Sequence, residues 1–457
     1  MTMSSVIASS EKRMVLGLGL TGCSVARWWR QQGVPFIAAD TRADRENDAL
    51  VLDAIGPQCP RFFGDIDLSL IEGLSELVVS PGIPLTHPFV AKALDAGVRV
   101  LGDIDLFMTN AIAPVIGITG SNGKSTVTGM VAAMLEGCGK RVATGGNYGT
   151  PALDLLASEP DVYVLELSSF QLERAGSLGL AVATVLNVSP DHLDRHGTMA
   201  RYHQAKHRIF RGAKSVVANR SDPLTLPLLE EQIPVVLWRK GEPDLKEIGI
   251  RVINGEPWVS LGLSAVLPAN KLPLPGQHNL SNAMAALAIG VALGVQIEQL
   301  LPGLITFKGL PHRCEVVGEA DGVLWVNDSK GTNVGAAEAA LRGIGGDQNV
   351  ILIVGGVGKD QDFTPLRSAV EQHCRRVLTM GEAARDLELA LGNIAPTQRV
   401  PGLSAAIDRA GQLARPGDIV LLSPACASFD MFVDFQARGD CFKTLVQRHL
   451  ATIGVAQ

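Results

Sequence analysis

The chain has 457 residues, enough for about three domains, each with its own core. Hydrophobic residues make up 46% and charged residues 19%, the balance of an ordinary α/β protein, and the net charge of −6 without a basic run argues against nucleic acid or an anionic membrane as a main partner. Seven scattered cysteines, odd in number and never C-x-x-C, indicate neither a disulfide framework nor a zinc site and point to the reducing cytoplasm.

Residues 14–18 read as a strand, 19–22 as a turn and 24–32 as a helix, with a second strand over 36–39 that ends at Asp40. The turn Gly17-Leu-Gly19-Leu-Thr-Gly22 is a G-x-G-x-x-G, and Asp40 stands 18 residues beyond it, near the place of a ribose-binding acid. The same turn suits any diphosphate, so a nicotinamide, flavin or uridine nucleotide all stay open. Lys12-Arg13, a short apolar run and Leu20-Thr-Gly-Cys23 imitate a lipoprotein signal. That run is only about seven residues and is broken by glycine, a poor export segment. No run has the length of a membrane helix. A strand at 77–80 and the turn Pro81-Gly82 follow, and a first domain closes near residue 102.

Apolar residues from Val115 lead into Gly117-Ile-Thr-Gly-Ser-Asn-Gly-Lys-Ser-Thr126 and then a helix over 127–135. Strand, glycine turn and helix in that order build a phosphate cradle, where backbone N–H groups and the helix N-terminus converge on an anion. Lys124 would reach the β/γ-phosphates and the Ser125 hydroxyl would ligate Mg²⁺. Ile118 stands where the usual motif has its first glycine. The bland alternative is a glycine turn with a surface lysine.

Short apolar runs at 162–167 and 181–188 read as buried parallel strands. Glu166 lies at the end of the first, where a carboxylate needs a partner or a metal, and Mg²⁺ is the natural one beside a nucleotide. Asn187-Val-Ser-Pro-Asp-His192 follows the second, at the strand end where open α/β sheets bind ligands. Lys206 reads as an ordinary solvated helical lysine. From 238 to 275 the pattern turns short, polar and Pro/Gly-rich, as in a small antiparallel insertion, and Gly276-Gln-His-Asn279 then opens an Ala-rich helix to about residue 293.

The last segment, from Gly309-Leu-Pro-His-Arg313, carries strands at 323–326, 350–354 and 419–422. Three strand-end loops follow them: Asn327-Asp-Ser-Lys330, Gly355-Gly-Val-Gly-Lys359 and Ser423-Pro-Ala-Cys-Ala-Ser428. Asp328 could accept from a ribose hydroxyl and Lys330 could stabilise a phosphoryl group. A polar turn and helix cap is the plain alternative.

Taken in order and spacing, these motifs, with Gly145-Gly-Asn147, Glu166-Leu-Ser-Ser169 and Gly276-Gln-His-Asn279, resemble the Mur ligase family over essentially the whole chain, nearest its D-glutamate-adding branch. The resemblance implies three α/β domains: a Rossmann-like UDP-binding domain (1–102), a P-loop ATPase-like domain with a parallel sheet (103–309) and a Rossmann-like C-terminal domain (310–457). It implies a monomeric cytoplasmic enzyme that uses ATP, UDP-N-acetylmuramoyl-L-alanine and D-glutamate, probing neither nucleic acid nor membrane. In the family's variant cradle Ile118 is no objection, and Gly117, Thr119, Gly120, Ser121, Asn122, Gly123, Lys124, Ser125 and Thr126 would hold ATP with Asn279, Arg313 and Asp328. Leu20, Thr21, Asp40, Thr41, Arg42 and Asn147 would contact the UDP-sugar. Thr332, Lys359, Ser428, Phe429 and Phe435 would enclose D-glutamate. Lys206 matches the family's carbamylated lysine, which makes it a metal ligand with Ser125, Glu166 and His192 for two Mg²⁺ ions. Lys124, Asn147, His192, Lys206 and Lys330 would be the catalytic set. Sister ligases and folylpolyglutamate-type ligases share the ATP machinery and differ in the amino-acid pocket. A nicotinamide oxidoreductase would leave Lys124 unexplained, and a P-loop ATPase would need no UDP-type first domain.

Overall fold

The computed structural model describes residues 12–228, 233–274 and 276–454, and folds them around three sheets. Residues 1–10, to which the sequence assigns no role, lie outside the described residues. The first sheet is all parallel, in the order β3-β2-β1-β4-β5: β1 (Lys12–Leu16), β2 (Ile37–Asp40), β3 (Arg61–Phe63), β4 (Leu74–Val79) and β5 (Arg99–Leu101). The helix after β1 begins at Leu20, so Gly22 lies within it and not in the expected turn. The reason is close packing: a Cβ on Gly22 would lie 1.8 Å from the Gly17 carbonyl oxygen.

The second sheet contains β6 (Val115–Thr119), β7 (Val142–Gly146), β8 (Val162–Glu166), β9 (Val182–Val185), β10 (Val216–Asn219) and β11 (Val235–Trp238), all parallel. β6 sits between β8 and β9 and is buried along its whole length, which explains its unbroken apolar sequence. The chain leaves β6 toward β8 and β7 and returns to its other side at β9, so the sheet reverses its winding beside β6. Ligands bind at the carboxyl ends of strands at such a reversal. The Pro/Gly-rich stretch forms β12 (Ile248–Ile253), β13 (Glu256–Leu261) and β14 (Ser264–Pro268), antiparallel to one another and added to the sheet's edge.

The third sheet has the order β15-β16-β20-β17-β18-β19: β15 (Glu315–Ala320), β16 (Val323–Asn327), β17 (Val350–Gly355), β18 (Cys374–Met380), β19 (Thr397–Arg399) and β20 (Ile419–Leu422). All pairs are parallel except β15 with β16. Because β20 inserts between β16 and β17, the loops after these three strands emerge side by side. No helix among the described residues is long and apolar enough to cross a membrane, and the seven cysteines are all free thiols.

Candidate active site

The loop after β6 is built for close approach of an anion. Gly123 precedes the helix Lys124–Gly137 in the left-handed conformation at φ 82°, and a Cβ there would lie 2.6 Å from Asn282 Oδ1. The loop is pinned from the neighbouring strand: Asn187 accepts from Asn122 N–H through Oδ1 at 2.9 Å and donates through Nδ2 to the Asn122 carbonyl at 2.9 Å. Lys124 Nζ donates to the carbonyls of Gly120 and Ser121 at 2.9 and 3.0 Å, which holds the ammonium over the loop. Gly117 lies elsewhere. It sits inside β6, where a Cβ would be 2.5 Å from Leu180, and is a packing residue rather than part of the cradle.

Glu166, the last residue of β8, is 2% exposed. Its Oε1 accepts from Asn147 Nδ2 at 2.7 Å, and its Oε2 accepts from the Ser125 hydroxyl, which in turn accepts from Arg313. Burial would raise its pKa, but Lys124 and Arg313 outweigh it and hold the carboxyl below its ordinary range. Asn147, Glu166, Ser125 and Arg313 therefore form one hydrogen-bonded cluster.

The structure overturns the plain reading of Lys206. The residue is 2% exposed, donates from Nζ to the Gly120 carbonyl at 2.8 Å and lies 4.5 Å from the Tyr202 ring centroid. Burial first, then the charge of Lys124, pushes its pKa well below that of an ordinary lysine. A neutral amine is the form that adds CO₂. His192 adopts φ 53° at the start of a short helical turn, with its ring against Phe170 at 4.8 Å. Burial and the charges of Lys359, Lys124 and Lys206 bring its pKa down to about 4, against the pull of Asp191.

Among the described residues no three His, Cys, Asp or Glu side chains converge as a metal cage. The donors at hand are the Glu166 carboxylate and the Ser125 hydroxyl, hard oxygens that suit Mg²⁺ completed by substrate phosphates and water. A carbamate on Lys206 would add oxygens of the same kind. The residues fit a cation shared with a nucleotide.

Across the cleft, the loop after β16 carries Asp328, whose carboxylate accepts from Cys314 N–H at 3.2 Å and Ser423 Oγ at 2.7 Å. Burial lifts its pKa to about 6. Lys330 Nζ lies 4.0 Å from the Phe435 ring centroid, and burial, then Arg313, brings its pKa down to about 8. A cavity of about 1090 Å³ lies between the two sheet edges. It is lined by Lys124, Glu166, His192, Lys206, Arg313 and Lys330, and also by Ser121, Asn122, Gly123, Thr126, Asn147, Asn279 and Asp328. Thr332, Lys359, Ser428, Phe429 and Phe435 line it too. Thr119, Gly120 and Ser125 stand behind this wall.

Two polar bridges had no role in the sequence reading. Asn333 Nδ2 donates to Asn122 Oδ1 and to Asp191 Oδ2, each at 3.2 Å, joining the third-sheet side to the phosphate loop. Arg174 donates to the carbonyls of Val79, Ser80, Pro81 and Ile83, joining the second sheet's domain to the first-domain turn. The only hint of Arg174 in the sequence is an arginine close after Glu166-Leu-Ser-Ser169.

The first-domain turn is separate from this cavity. Leu20 is largely exposed at the helix N-terminus, with Thr21 beside it. Asp40 is buried and already engaged: it accepts from Leu18 N–H at 2.6 Å and from Arg42 N–H at 2.9 Å, and pairs with the Arg42 guanidinium. Burial opposes its charge, but these donors win and its pKa is lowered. Asp40 thus fixes the glycine turn and orients Arg42, while Thr41 and Arg42 face solvent.

Three α/β sheets thus bring a phosphate-type loop, a buried carboxylate and a buried lysine to one cleft, a setting suited to a phosphate-bearing ligand. The chain belongs to the Mur ligase family: it matches the MurD-like N-terminal domain over residues 11–102, the middle domain over 118–290 and the glutamate ligase domain over 312–426. It is 48% identical over 445 residues to the UDP-N-acetylmuramoylalanine–D-glutamate ligase of Pseudomonas aeruginosa, covering 97% of this chain and 99% of that one. It is 47% identical over 444 residues to the enzyme of the same name from Marinobacter nauticus, with 97% and 99% covered. In fold it is similar to a pseudomurein peptide ligase from Methanothermus fervidus and to a UDP-N-acetylmuramate–alanine ligase from Thermotoga maritima. Each matches at a TM-score of 0.60 and 19% identity over 96% of this chain and 99% of the other.

Proposed function

We propose that this chain joins D-glutamate to the L-alanine carboxylate of UDP-N-acetylmuramoyl-L-alanine, consuming ATP and releasing ADP and phosphate, in peptidoglycan precursor synthesis. The observation that carries the reading is the single cleft in which Lys124 and Glu166 face Lys330 and Ser428. The similarity to D-glutamate ligases over nearly the whole chain supports the choice of substrates.

A carboxylate is a poor electrophile until one of its oxygens becomes a leaving group. In the first step an oxygen of the L-alanine carboxylate attacks the γ-phosphorus of ATP, the bond to the β-phosphate oxygen breaks, and ADP leaves an acyl phosphate. In the second the neutral amine of D-glutamate attacks the acyl carbon. The tetrahedral intermediate expels phosphate, and the amine proton is lost to give the amide. Positive charge and positioning supply most of the catalysis of such a transfer. Lys124 approaches the β/γ-phosphates from the loop and Lys330 the γ-phosphate from the opposite edge. Asn147 and His192 position the L-alanine carboxylate, and the lowered pKa of His192 keeps its ring neutral. Asn279, Arg313 and Asp328 hold the nucleotide.

Two Mg²⁺ ions, held by Ser125, Glu166, His192 and carbamylated Lys206, would neutralise charge on the transferring phosphoryl group when bound. Leu20, Thr21, Asp40, Thr41 and Arg42 take the uridine nucleotide. Thr332, Lys359, Ser428, Phe429 and Phe435 enclose D-glutamate. The free thiols suit the cytoplasm. Phosphate release from ATP with UDP-N-acetylmuramoyl-L-alanine across a panel of amino acids tests the reading. Release that depends on D-glutamate and yields a new amide supports it; release with another amino acid alone overturns the assignment of substrate.

A further inference from the structure

Arg438 lies in the helix Phe435–Gly454 and is completely buried. Its guanidinium makes four hydrogen bonds. Nε donates to Ser329 Oγ at 3.0 Å, Nη2 to the Ser329 carbonyl at 2.8 Å and the Cys426 carbonyl at 3.2 Å, and Nη1 to the Ala427 carbonyl at 3.4 Å. All four acceptors are neutral. Burial pulls its pKa down to about 10, against the opposing pull of Cys426, Asp430 and Asp328, none of which it hydrogen-bonds through a side chain.

The position of those acceptors gives the arginine its meaning. Ser329 immediately precedes Lys330 and leads to Thr332. Cys426 and Ala427 immediately precede Ser428 and Phe429. Ser329 Oγ also donates to the Phe435 carbonyl at 2.9 Å, at the start of the helix that bears Arg438. Ala427 exchanges two backbone hydrogen bonds with Val357, two residues before Lys359. The planar fork thus ties the 329 and 426–427 segments together directly, and these in turn hold Phe435 and the stretch before Lys359, while Arg438 does not line the cleft itself.

We propose that Arg438 is the positioning residue of the acceptor amino-acid subsite: its guanidinium locks the loops 329–332 and 426–429 together through hydrogen bonds to neutral groups and places a positive charge behind a pocket that receives a dicarboxylate. The fork sets the shape of the pocket, and its charge adds to the attraction for the bound acid. The inference rests on the ligase reading above.

The test is steady-state kinetics on the full chain with three variants. Arg438→Lys keeps the charge and loses the fork, Arg438→Met loses both, and Ser329→Ala removes one acceptor. The expected result for Arg438→Lys is a KM for D-glutamate raised about tenfold, with the KM values for ATP and the UDP-sugar within about twofold of wild type. Ser329→Ala gives a smaller rise in the same direction. Arg438→Met raises the KM further and narrows the preference for D-glutamate over D-glutamine, which Arg438→Lys retains. All three KM values moving together, or an unchanged KM for D-glutamate, would overturn the proposal. If Arg438→Met does not fold, the other two variants decide by the same criterion. A wild-type enzyme that uses a different amino acid refutes the substrate reading, and the KM split for that amino acid then decides the role of Arg438.

Discussion

Replacing Arg174 by methionine should loosen the joint between the first-domain turn and the phosphate-binding domain. The side chain is 1% exposed, and three of its contacts, to Val79, Ser80 and Ile83, are 2.7–2.9 Å long. Hydrogen bonds from a cation contribute roughly 1.5–3 kcal/mol each, or about 4–9 kcal/mol for three. Against this stands the burial of the charge, which pulls the guanidinium pKa down to about 10. That depression corresponds to roughly 3 kcal/mol. Arg195 also reaches the Ile83 carbonyl, at 3.2 Å, and keeps part of the contact. The net loss of local order is then roughly 1–6 kcal/mol, most of it at residues 80–83. Ser80 Oγ donates to the Gly17 carbonyl and Ile83 packs under Gly17, so the loss reaches the nucleotide turn. If UDP-N-acetylmuramoyl-L-alanine must reorder that joint, its Kd rises about fivefold or more. Isothermal titration measures the Kd, and hydrogen exchange at Ile83 N–H, which donates to the Ser80 carbonyl, reads the turn directly. A Kd within twofold of wild type together with unchanged exchange would refute the reasoning.

Three further predictions concern charged groups. Lys206→Ala and Lys206→Arg should both lose most ligase activity, because neither can form a carbamate, and ¹³C-bicarbonate should give a carbamate NMR signal in wild type alone; a fully active Lys206→Arg would rule out that role. Lys330, at about 8, carries its charge only below that pH, so kcat/KM for ATP should fall as pH rises through about 8, and Lys330→Arg should flatten that limb. Asp103 is pushed up to about 6 by burial. Its folded pKa is above its unfolded one, so the proton favours the native state: that stability is full below about pH 4 and is lost as pH rises through about 6, a change of roughly 3 kcal/mol. Chemical denaturation of wild type and Asp103→Asn at pH 4 and pH 7 should show the difference between them change by about that amount.

Much of the architecture was legible because buried parallel strands are continuous apolar runs. The apolar runs 419–422 and 350–354 predict the strands that form, the second extended only by Gly355. The helix start at Leu20 was missed because Gly22 looks like a turn residue, when its missing side chain serves packing on the Gly17 carbonyl. β15 was missed because its pattern is half-buried and broken by Gly318. In the site, glycine-rich and acidic motifs at strand ends announced themselves. Lys206 did not, since helical spacing says nothing about a cavity wall supplied by another strand's loop. Arg174, Asn333 and Arg438 act on backbone carbonyls and polar side chains outside their own local segments, and no local pattern marks such partners.

The central claim, that the carboxylate is activated by phosphoryl transfer before the amine attacks, is tested most directly by isotope transfer. UDP-N-acetylmuramoyl-L-alanine labelled with ¹⁸O in its L-alanine carboxylate is turned over with ATP and D-glutamate, and the released phosphate is analysed by mass spectrometry. The account predicts one ¹⁸O in each phosphate formed from fully labelled carboxylate, with label transfer dependent on ATP. Amide formation with unlabelled phosphate would contradict it.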